Sequence, residues 1–273
     1  MSILIILATV LSLQMAQAYA TLQVMRRPMT AATLVYATNF ENVTKENAYR
    51  LNMGIDNWVV FGGDGGASIW MEGLDRNTPG ITCHSGNRCV GTELTNITES
   101  RRVQFDVYPA SLVGSKYFVS VWLYLPQDWG LHAPGIDWNW YEIADPFGNA
   151  YGNQYTAIWI EQPDITQPKF NLEVGGRGPS NSNNSLGTQF SLGKVVDFPL
   201  PRGRWFNLQY YVFLDPTNGS VEVWLDEKLI TNSTGLQIQG GAQWLTCVAK
   251  IYYEPTDTTA HQLWVDDLQI YRI

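Results

Sequence analysis

The chain is dominated by short segments in which apolar and polar residues alternate. These segments are rich in Val, Ile, Tyr and Trp, and they are separated by Gly, Pro, Asn and Asp. Almost nothing after the first 18 residues has helical period. A period of two predicts β-strands, and frequent turns between strands are typical of a sandwich or barrel. The predicted strands are 34–40, 57–61, 67–72, 101–108, 117–125, 138–144, 155–162, 169–175, 204–213, 220–226, 228–231, 244–254 and 262–271. The sequence therefore predicts an all-β protein.

A polar interval rich in Gly, Ser and Asn, residues 176–192, interrupts the pattern. We expect a long loop there, either a mobile rim or a lid over a groove.

Alternation also sorts each strand into a core face and an outward face. In KYFVSVWLYLP, Val119, Val121 and Leu123 form the core face, which turns Trp122 and Tyr124 outward. The same sorting turns aromatic, charged and amide residues outward on neighbouring strands. These are Arg102, Gln104, Trp138, Trp140, Glu142, Trp159, Glu161, Asn171 and Glu173.

An aromatic outward face suits a sugar, because a ring platform covers the apolar face of a pyranose while polar side chains bind its hydroxyl rim. Exposed aromatic patches commonly mark binding sites. The alternative is a second core layer beneath loops or helices. The expected substrate-binding residues are Trp122, Trp138, Trp140, Trp159, Gln104, Asn171 and Glu173.

The N-terminus predicts export. Residues 1–18 combine an apolar run with small residues at Ala16 and Ala18, as in a secretory signal peptide, although the lack of Lys or Arg leaves an uncleaved N-terminal anchor as the alternative. No later segment is apolar enough to span a bilayer. We expect a lead-in over residues 19–33, a single domain over 34–273, and a protein that is secreted or held at the cell surface.

Two further features suit that location. Cys83 and Cys89 bracket a short loop that a disulfide could close in an oxidising compartment. Glycosylation sequons begin at Asn42, Asn96, Asn183, Asn218 and Asn232.

The formal net charge of −8 argues against nucleic acid and anionic membranes as partners, because both would be repelled at long range.

The hairpin segment GRWFNLQYYVFLDPTNGSVEVWLDEKLI, residues 203–230, resembles the penultimate hairpin of concanavalin-A-like jelly rolls of the polysaccharide-lyase and laminin-G-like branch. The final Gly of that pattern is replaced here by Glu227. Downstream, CVAKIYYEP and LWVDDLQIY are similar to the last two strands of alginate-lyase-like and glucuronan-lyase-like enzymes. The resemblance covers about residues 117–271 and implies two antiparallel sheets with a concave groove that binds a glycan chain.

The resemblance also implies candidate catalytic residues. In such lyases a Tyr on the penultimate strand moves a proton while a polar or cationic side chain neutralises a uronate carboxylate. The matching Tyr is Tyr253 by linear alignment and Tyr252 by face parity with Lys250, and Lys250 or Arg102 would face the carboxylate. The Gln-x-His element of the family is absent, since that strand reads IWIEQ and carries Glu161.

Other activities fit the same face. Glu142, Glu161 and Glu173 would suit a glycoside hydrolase, which needs two carboxyl groups at a defined separation. A non-catalytic lectin or adhesin would use the same rings, and a cell-surface structural glycoprotein would not need the groove. The expected partner is a polysaccharide, and we expect a monomer.

One cofactor is expected from the resemblance. Glu41 and Asp266, with Asp267 beside it, are placed like acids that hold a structural Ca²⁺ in related carbohydrate-binding jelly rolls. The alternative is a turn acid and a bulge pair. The sequence identifies no other cofactor.

Overall fold

The computed structural model describes residues 32–42, 56–61, 67–94, 101–107, 116–129, 140–149, 155–161, 170–177, 189–236, 244–253 and 261–273. The predicted signal peptide and almost all of the lead-in lie outside this part of the chain. Within it, the regular elements are strands. They are β1 (Thr33–Thr38), β2 (Asp56–Phe61), β3 (Ala67–Met71), β4 (Val90–Leu94), β5 (Arg101–Val107), β6 (Lys116–Tyr124), β7 (Trp140–Asn149), β8 (Tyr155–Glu161), β9 (Phe170–Arg177), β10 (Gln189–Phe198), β11 (Trp205–Phe213), β12 (Gly219–Leu225), β13 (Lys228–Leu236), β14 (Trp244–Tyr253) and β15 (His261–Arg272).

The strands form two antiparallel sheets. Sheet A has the order β13-β12-β11-β6-β15-β4-β3, with β1 also paired to β15, and sheet B has the order β10-β9-β8-β7-β14-β5-β2. The chain crosses between the sheets repeatedly. In sequence order, β6 of sheet A comes between β5 and β7 of sheet B, and β14 of sheet B comes between β13 and β15 of sheet A. The predicted all-β fold with two antiparallel sheets is confirmed.

The core lies between the sheets and follows the alternation of the sequence. Sheet A contributes Val121, Leu208 and neighbouring apolar side chains, and sheet B contributes Ile158, Ile160 and Val174, all in one buried cluster. Each of these five side chains is 0% exposed. Shared burial of this kind is the dominant favourable contribution to folding, and it holds the two sheets face to face.

Two strands were missing from the sequence prediction. Strand β4 contains Gly91, which weakens the strand signal. A side chain at that position is excluded by packing, since a Cβ there would lie 2.3 Å from Trp70 Cε2. Strand β10 begins at Gln189 inside the predicted loop 176–192, and β9 continues to Arg177. The predicted loop is therefore too long at both ends.

The predicted hairpin is confirmed, since β11 pairs with β12 in antiparallel register. The β12–β13 turn that follows it is tight. Leu225 pairs with Lys228, so only Asp226 and Glu227 form the turn. Both have positive φ, 44° and 67°, as a two-residue type I′ turn requires. Glu227 replaces a Gly of the family pattern at a position where Gly would be free of strain.

Candidate functional site

Strand register in sheet B brings the main candidate residues into one row. Glu173 pairs with Trp159 between β9 and β8, and Trp159 pairs with Glu142 on β7. Glu142 pairs with Tyr252 on β14, and Tyr252 pairs with Arg102 on β5. Paired residues of antiparallel strands are separated by ~4.5–5.5 Å between Cα atoms. Five candidates from distant parts of the sequence therefore form a continuous row, which we call the central row.

The described side chains of this row face away from the core. Trp159 is half-buried and lies between Ile158 and Ile160, both of which are in the core. Glu173 is half-buried and lies between the core residues Leu172 and Val174. The outward face predicted for Trp159 and Glu173 is thus present.

Further candidates occupy neighbouring register positions. Trp140 pairs with Glu161, and Glu161 pairs with Asn171. Lys250 pairs with Gln104. Together with the central row, these pairs place the predicted catalytic and sugar-binding residues of β5, β7, β8, β9 and β14 on one sheet.

The register also separates the two candidate tyrosines. Tyr252 pairs with Arg102, whereas Tyr253 pairs with Arg101. Only Tyr252 also pairs with Glu142. The residue chosen by face parity is therefore the one in the central row.

Trp122, which was predicted to bind substrate together with Trp159, does not lie on the same sheet as Trp159. Strand β6 lies in sheet A, where Trp122 pairs with Asn207 and Asp266. Its ring stacks on His84 with centroids 3.8 Å apart and planes 16° apart. Parity identified the outward direction of Trp122 correctly, but it cannot tell which of two sheets a strand joins. Trp138 lies outside the described residues.

The acids expected to bind calcium hold a disulfide-closed loop on sheet A. The predicted Cys83–Cys89 disulfide is present. Glu41 Oε1 accepts hydrogen bonds from the backbone N–H groups of Asn87 (2.8 Å) and Arg88 (2.7 Å). Asp266 Oδ2 accepts from the N–H of Ser85 (3.0 Å).

Asp267 completes this attachment. Its carboxylate accepts from the Ser85 hydroxyl (2.8 Å) and lies 2.6 Å from His84 Nδ1. No local pattern in the sequence connects His84 to Asp267, which lies 183 positions away. Burial, partly opposed by the Ser85 N–H, raises the pKa of Asp266 to about 7.

The acids predicted to bind calcium accept hydrogen bonds from donors of the loop in this structure, through their carboxylate oxygens. Among the described residues, no group of three His, Cys, Asp or Glu side chains is placed to hold a metal ion. Calcium needs six to eight oxygen ligands. Metal binding by Glu41 and Asp266 stays a prediction.

Three sequon asparagines lie at the surface. Asn42, Asn218 and Asn232 are exposed, while Asn96 and Asn183 lie outside the described residues. Their glycosylation stays a prediction. In the described part of the chain, no helix is both long and apolar enough to cross a membrane.

Comparison with known proteins identifies first the class and then the family. A structure of the alginate lyase vAL-1 from Chlorella virus superposes with a TM-score of 0.53 at 10% identity, covering 88% of this chain and 100% of that one. The alginate lyase Aly36B in complex with alginate trisaccharide gives 0.48 at 10% identity, over 68% and 82% of the two chains. The superposition on vAL-1, with the two antiparallel sheets, shows that the fold is the concanavalin-A-like jelly roll.

The family follows from the sequence itself. The model of the polysaccharide lyase family matches residues 41–269, so this chain belongs to that family and is a polysaccharide-active protein. No curated protein matches the chain.

Proposed function

We propose that the chain is a secreted or cell-surface polysaccharide lyase that cleaves a uronate-containing glycan by β-elimination. The observation that carries the proposal is the register of β14, which places Tyr252 between Arg102 on β5 and Glu142 on β7. Elimination from a uronate requires a group that moves the α-proton and a cation at the carboxylate, and Tyr252 and Arg102 are paired residues that could supply them. Membership of the polysaccharide lyase family supports the same reaction.

The cation has a defined task. Proton loss next to a carboxylate is difficult, because the carbanion that develops carries its charge onto a group that is already negative. Arg102 or Lys250 at the uronate carboxylate would stabilise that developing charge, which lowers the pKa of the α-proton. Arg is well suited, since its planar guanidinium binds a carboxylate through two parallel hydrogen bonds.

Tyr252 would move the proton. As phenolate it takes the α-proton at C5, the electron pair of that C–H bond forms the C4–C5 double bond, and the C4–O glycosidic bond breaks. The phenol then donates its proton to the departing oxygen, so Tyr252 ends in its starting state and the product carries an unsaturated uronate.

The test compares two adjacent tyrosines. Uronate polymers are incubated with the wild-type chain, Tyr252→Phe and Tyr253→Phe, and unsaturated products are followed by their ultraviolet absorbance. We expect Tyr252→Phe to lower kcat by at least ~100-fold, the usual scale of a lost general acid or base. Tyr253→Phe should retain kcat within about threefold. Equal Tm values would establish that both variants fold.

Arg102 and Arg101 form a second matched pair for the same assay. Arg102→Ala should lose most activity and Arg101→Ala little, because Arg101 pairs with Tyr253. Absence of unsaturated product from every uronate polymer would refute the lyase proposal. New reducing ends without ultraviolet absorbance would instead favour hydrolysis by Glu142 and Glu173, which lie two strands apart in the central row.

A further inference from the structure

Strand β13 (Lys228–Leu236) lies at one end of sheet A. Among the described strands, β12 is its partner in the sheet, and β10 of sheet B contacts it without pairing to it. An edge strand presents backbone N–H and C=O groups to which a strand of another molecule can pair. At 9 residues, β13 is longer than the usual strand of ~5–6 residues, so its edge is long enough to act as a template.

Irregular pairing interrupts this edge near both ends of the strand. Leu229 and Thr231 pair with consecutive residues of β12, so Ile230 is an extra residue. Gly235 is an extra residue in the same way, and its φ is positive at 71°. A bulge of this kind bends and twists the strand that contains it, which hinders the addition of a further strand.

The regular stretch between the two bulges contains a glycosylation sequon. Residues 231–234 pair one for one with β12, and three of these four residues are the sequon Asn232-Ser233-Thr234. Other common defences of an edge strand are a proline or a charged side chain, and residues 231–234 contain neither. The sequon therefore occupies the part of the edge that the bulges leave regular.

The side chain of Asn232 is placed where a glycan can be attached. It is exposed, and its partner Glu222 lies between Val221 and Val223, whose side chains belong to the core. Directly paired residues share one face of a sheet, so Asn232 points to the outer face of sheet A. A glycan there would stand beside the edge, and on the sheet that does not carry the central row.

We propose that Asn232 carries an N-linked glycan that keeps β13 from pairing with the same strand of a second copy of this chain. N-glycans are bulky and solubilising, so a glycan in the middle of the regular stretch prevents a second backbone from approaching to the ~4.8 Å spacing of paired strands. Without the glycan, residues 231–234 of two copies pair in antiparallel order about a two-fold axis, which gives a closed dimer. Glycosylation at this position therefore maintains the monomer.

The experiment uses the full chain, secreted from a eukaryotic host that attaches N-glycans. Peptide mass spectrometry measures the occupancy of Asn232, and sedimentation velocity measures the mass of the protein particle. We expect wild type to be glycosylated at Asn232 and monomeric. Asn232→Gln and Thr234→Ala remove the same sequon through different residues, and both should form a species of about twice the monomer mass, as a two-fold dimer requires.

Two control variants separate protection of the edge from a general loss of glycan. Asn218→Gln removes the sequon of the β11–β12 turn and should remain monomeric. Asn232→Lys lacks the same glycan as Asn232→Gln but introduces a charge, and a lysine on an edge strand discourages pairing. This variant should therefore be monomeric too, and a dimer of either control would overturn the proposal.

A change of host provides a measurement that needs no substitution. Wild type secreted into a bacterial periplasm, which forms disulfides but is not given the enzymes of N-glycosylation, should form the same dimer, and Asn232→Lys from that host should not. Circular dichroism spectra equal to that of the glycosylated chain would show that each sample is folded. Absence of a glycan at Asn232 in the eukaryotic product, or a folded, glycan-free wild type that stays monomeric, would refute the proposal.

Discussion

Glu72 shows how one residue can connect three segments of the chain. Its carboxylate is 4% exposed and accepts hydrogen bonds from the indole N–H groups of Trp70 (2.5 Å) and Trp264 (2.9 Å). It also accepts from the N–H (2.8 Å) and hydroxyl (2.5 Å) of Thr78. Burial alone would raise the pKa of Glu72, but the hydrogen bonds from Thr78, Trp70 and Trp264 outweigh it and the pKa is lowered. Folding therefore favours the ionised form of the Glu72 carboxylate.

The replacement Glu72→Gln should lower the free energy of unfolding by about 3 kcal/mol at pH 7, because an amide NH₂ would face donors that then lack an acceptor. A lowered pKa means that this stabilisation is present above the ordinary value of 4.5 and is lost as pH falls through the folded-state pKa. Urea unfolding from pH 7 to pH 3 should show the gap between wild type and variant closing. Glu93→Gln is the control, since the half-buried carboxylate of Glu93 accepts a hydrogen bond from Gln262. The difference in the free energy of unfolding between wild type and this variant should be small. A gap that widens in acid would contradict the assignment.

At the scale of elements, the loop 82–89 is attached to sheet A from several directions. The Cys83–Cys89 disulfide closes it, Trp205 Nε1 donates to the carbonyl of Thr82 (2.8 Å), and Glu41 and Asp267 accept from its other residues. His84 of this loop also stacks on the ring of Trp122. It therefore covers part of the outer face of sheet A that sequence reasoning had left open to a sugar.

Replacing both cysteines, Cys83→Ser with Cys89→Ser, should lower the free energy of unfolding by about 2 kcal/mol, because a short closed loop restricts the unfolded chain. The measurement is urea unfolding with and without a thiol reductant. Wild type with reductant should unfold like the double variant, and the double variant should not respond to reductant. A double variant as stable as the oxidised wild type would show that the loop's hydrogen bonds suffice.

The sequence prediction was more accurate for some strands than for others. Strands with strong alternation, such as β6 and β11, were placed within a residue or so of their observed ends. Strand β4 was missed because it contains Gly91, and glycine weakens the strand pattern. The ring of Trp70 leaves no room for a side chain at that position. The start of β10 was missed because it follows a Gly-rich and Asn-rich run and contains a register shift between Ser191 and Gly193. These features depend on a neighbouring strand and leave little trace in local pattern.

At the scale of the whole molecule, the two sheets share one buried cluster. Side chains of β8 and β9 pack between the sheets with those of β6, β11 and β15. Truncating a buried side chain of either sheet should therefore destabilise both.

The replacement Ile160→Ala, at a residue of sheet B that is 0% exposed, should cost about 2–5 kcal/mol through reduced burial and the cavity it leaves. We expect a single cooperative transition in which tryptophan fluorescence and circular dichroism change together, at a lower urea concentration than in wild type. Leu229→Ala, at a residue of sheet A that is 46% exposed, should change stability little. Separate transitions by the two probes in Ile160→Ala would show that the sheets unfold independently.

The sequence by itself determined the fold class, the inward and outward faces of the strongest strands, the disulfide pair and the choice of Tyr252 by parity. These follow from the two-residue period of a strand, which is a local property. Only the tertiary structure decided which strands are neighbours. It placed Trp122 on sheet A beneath His84 and aligned Arg102, Tyr252, Glu142, Trp159 and Glu173 across sheet B. Pairing between distant strands is selected by burial of the whole core, so no short segment of the sequence contains it.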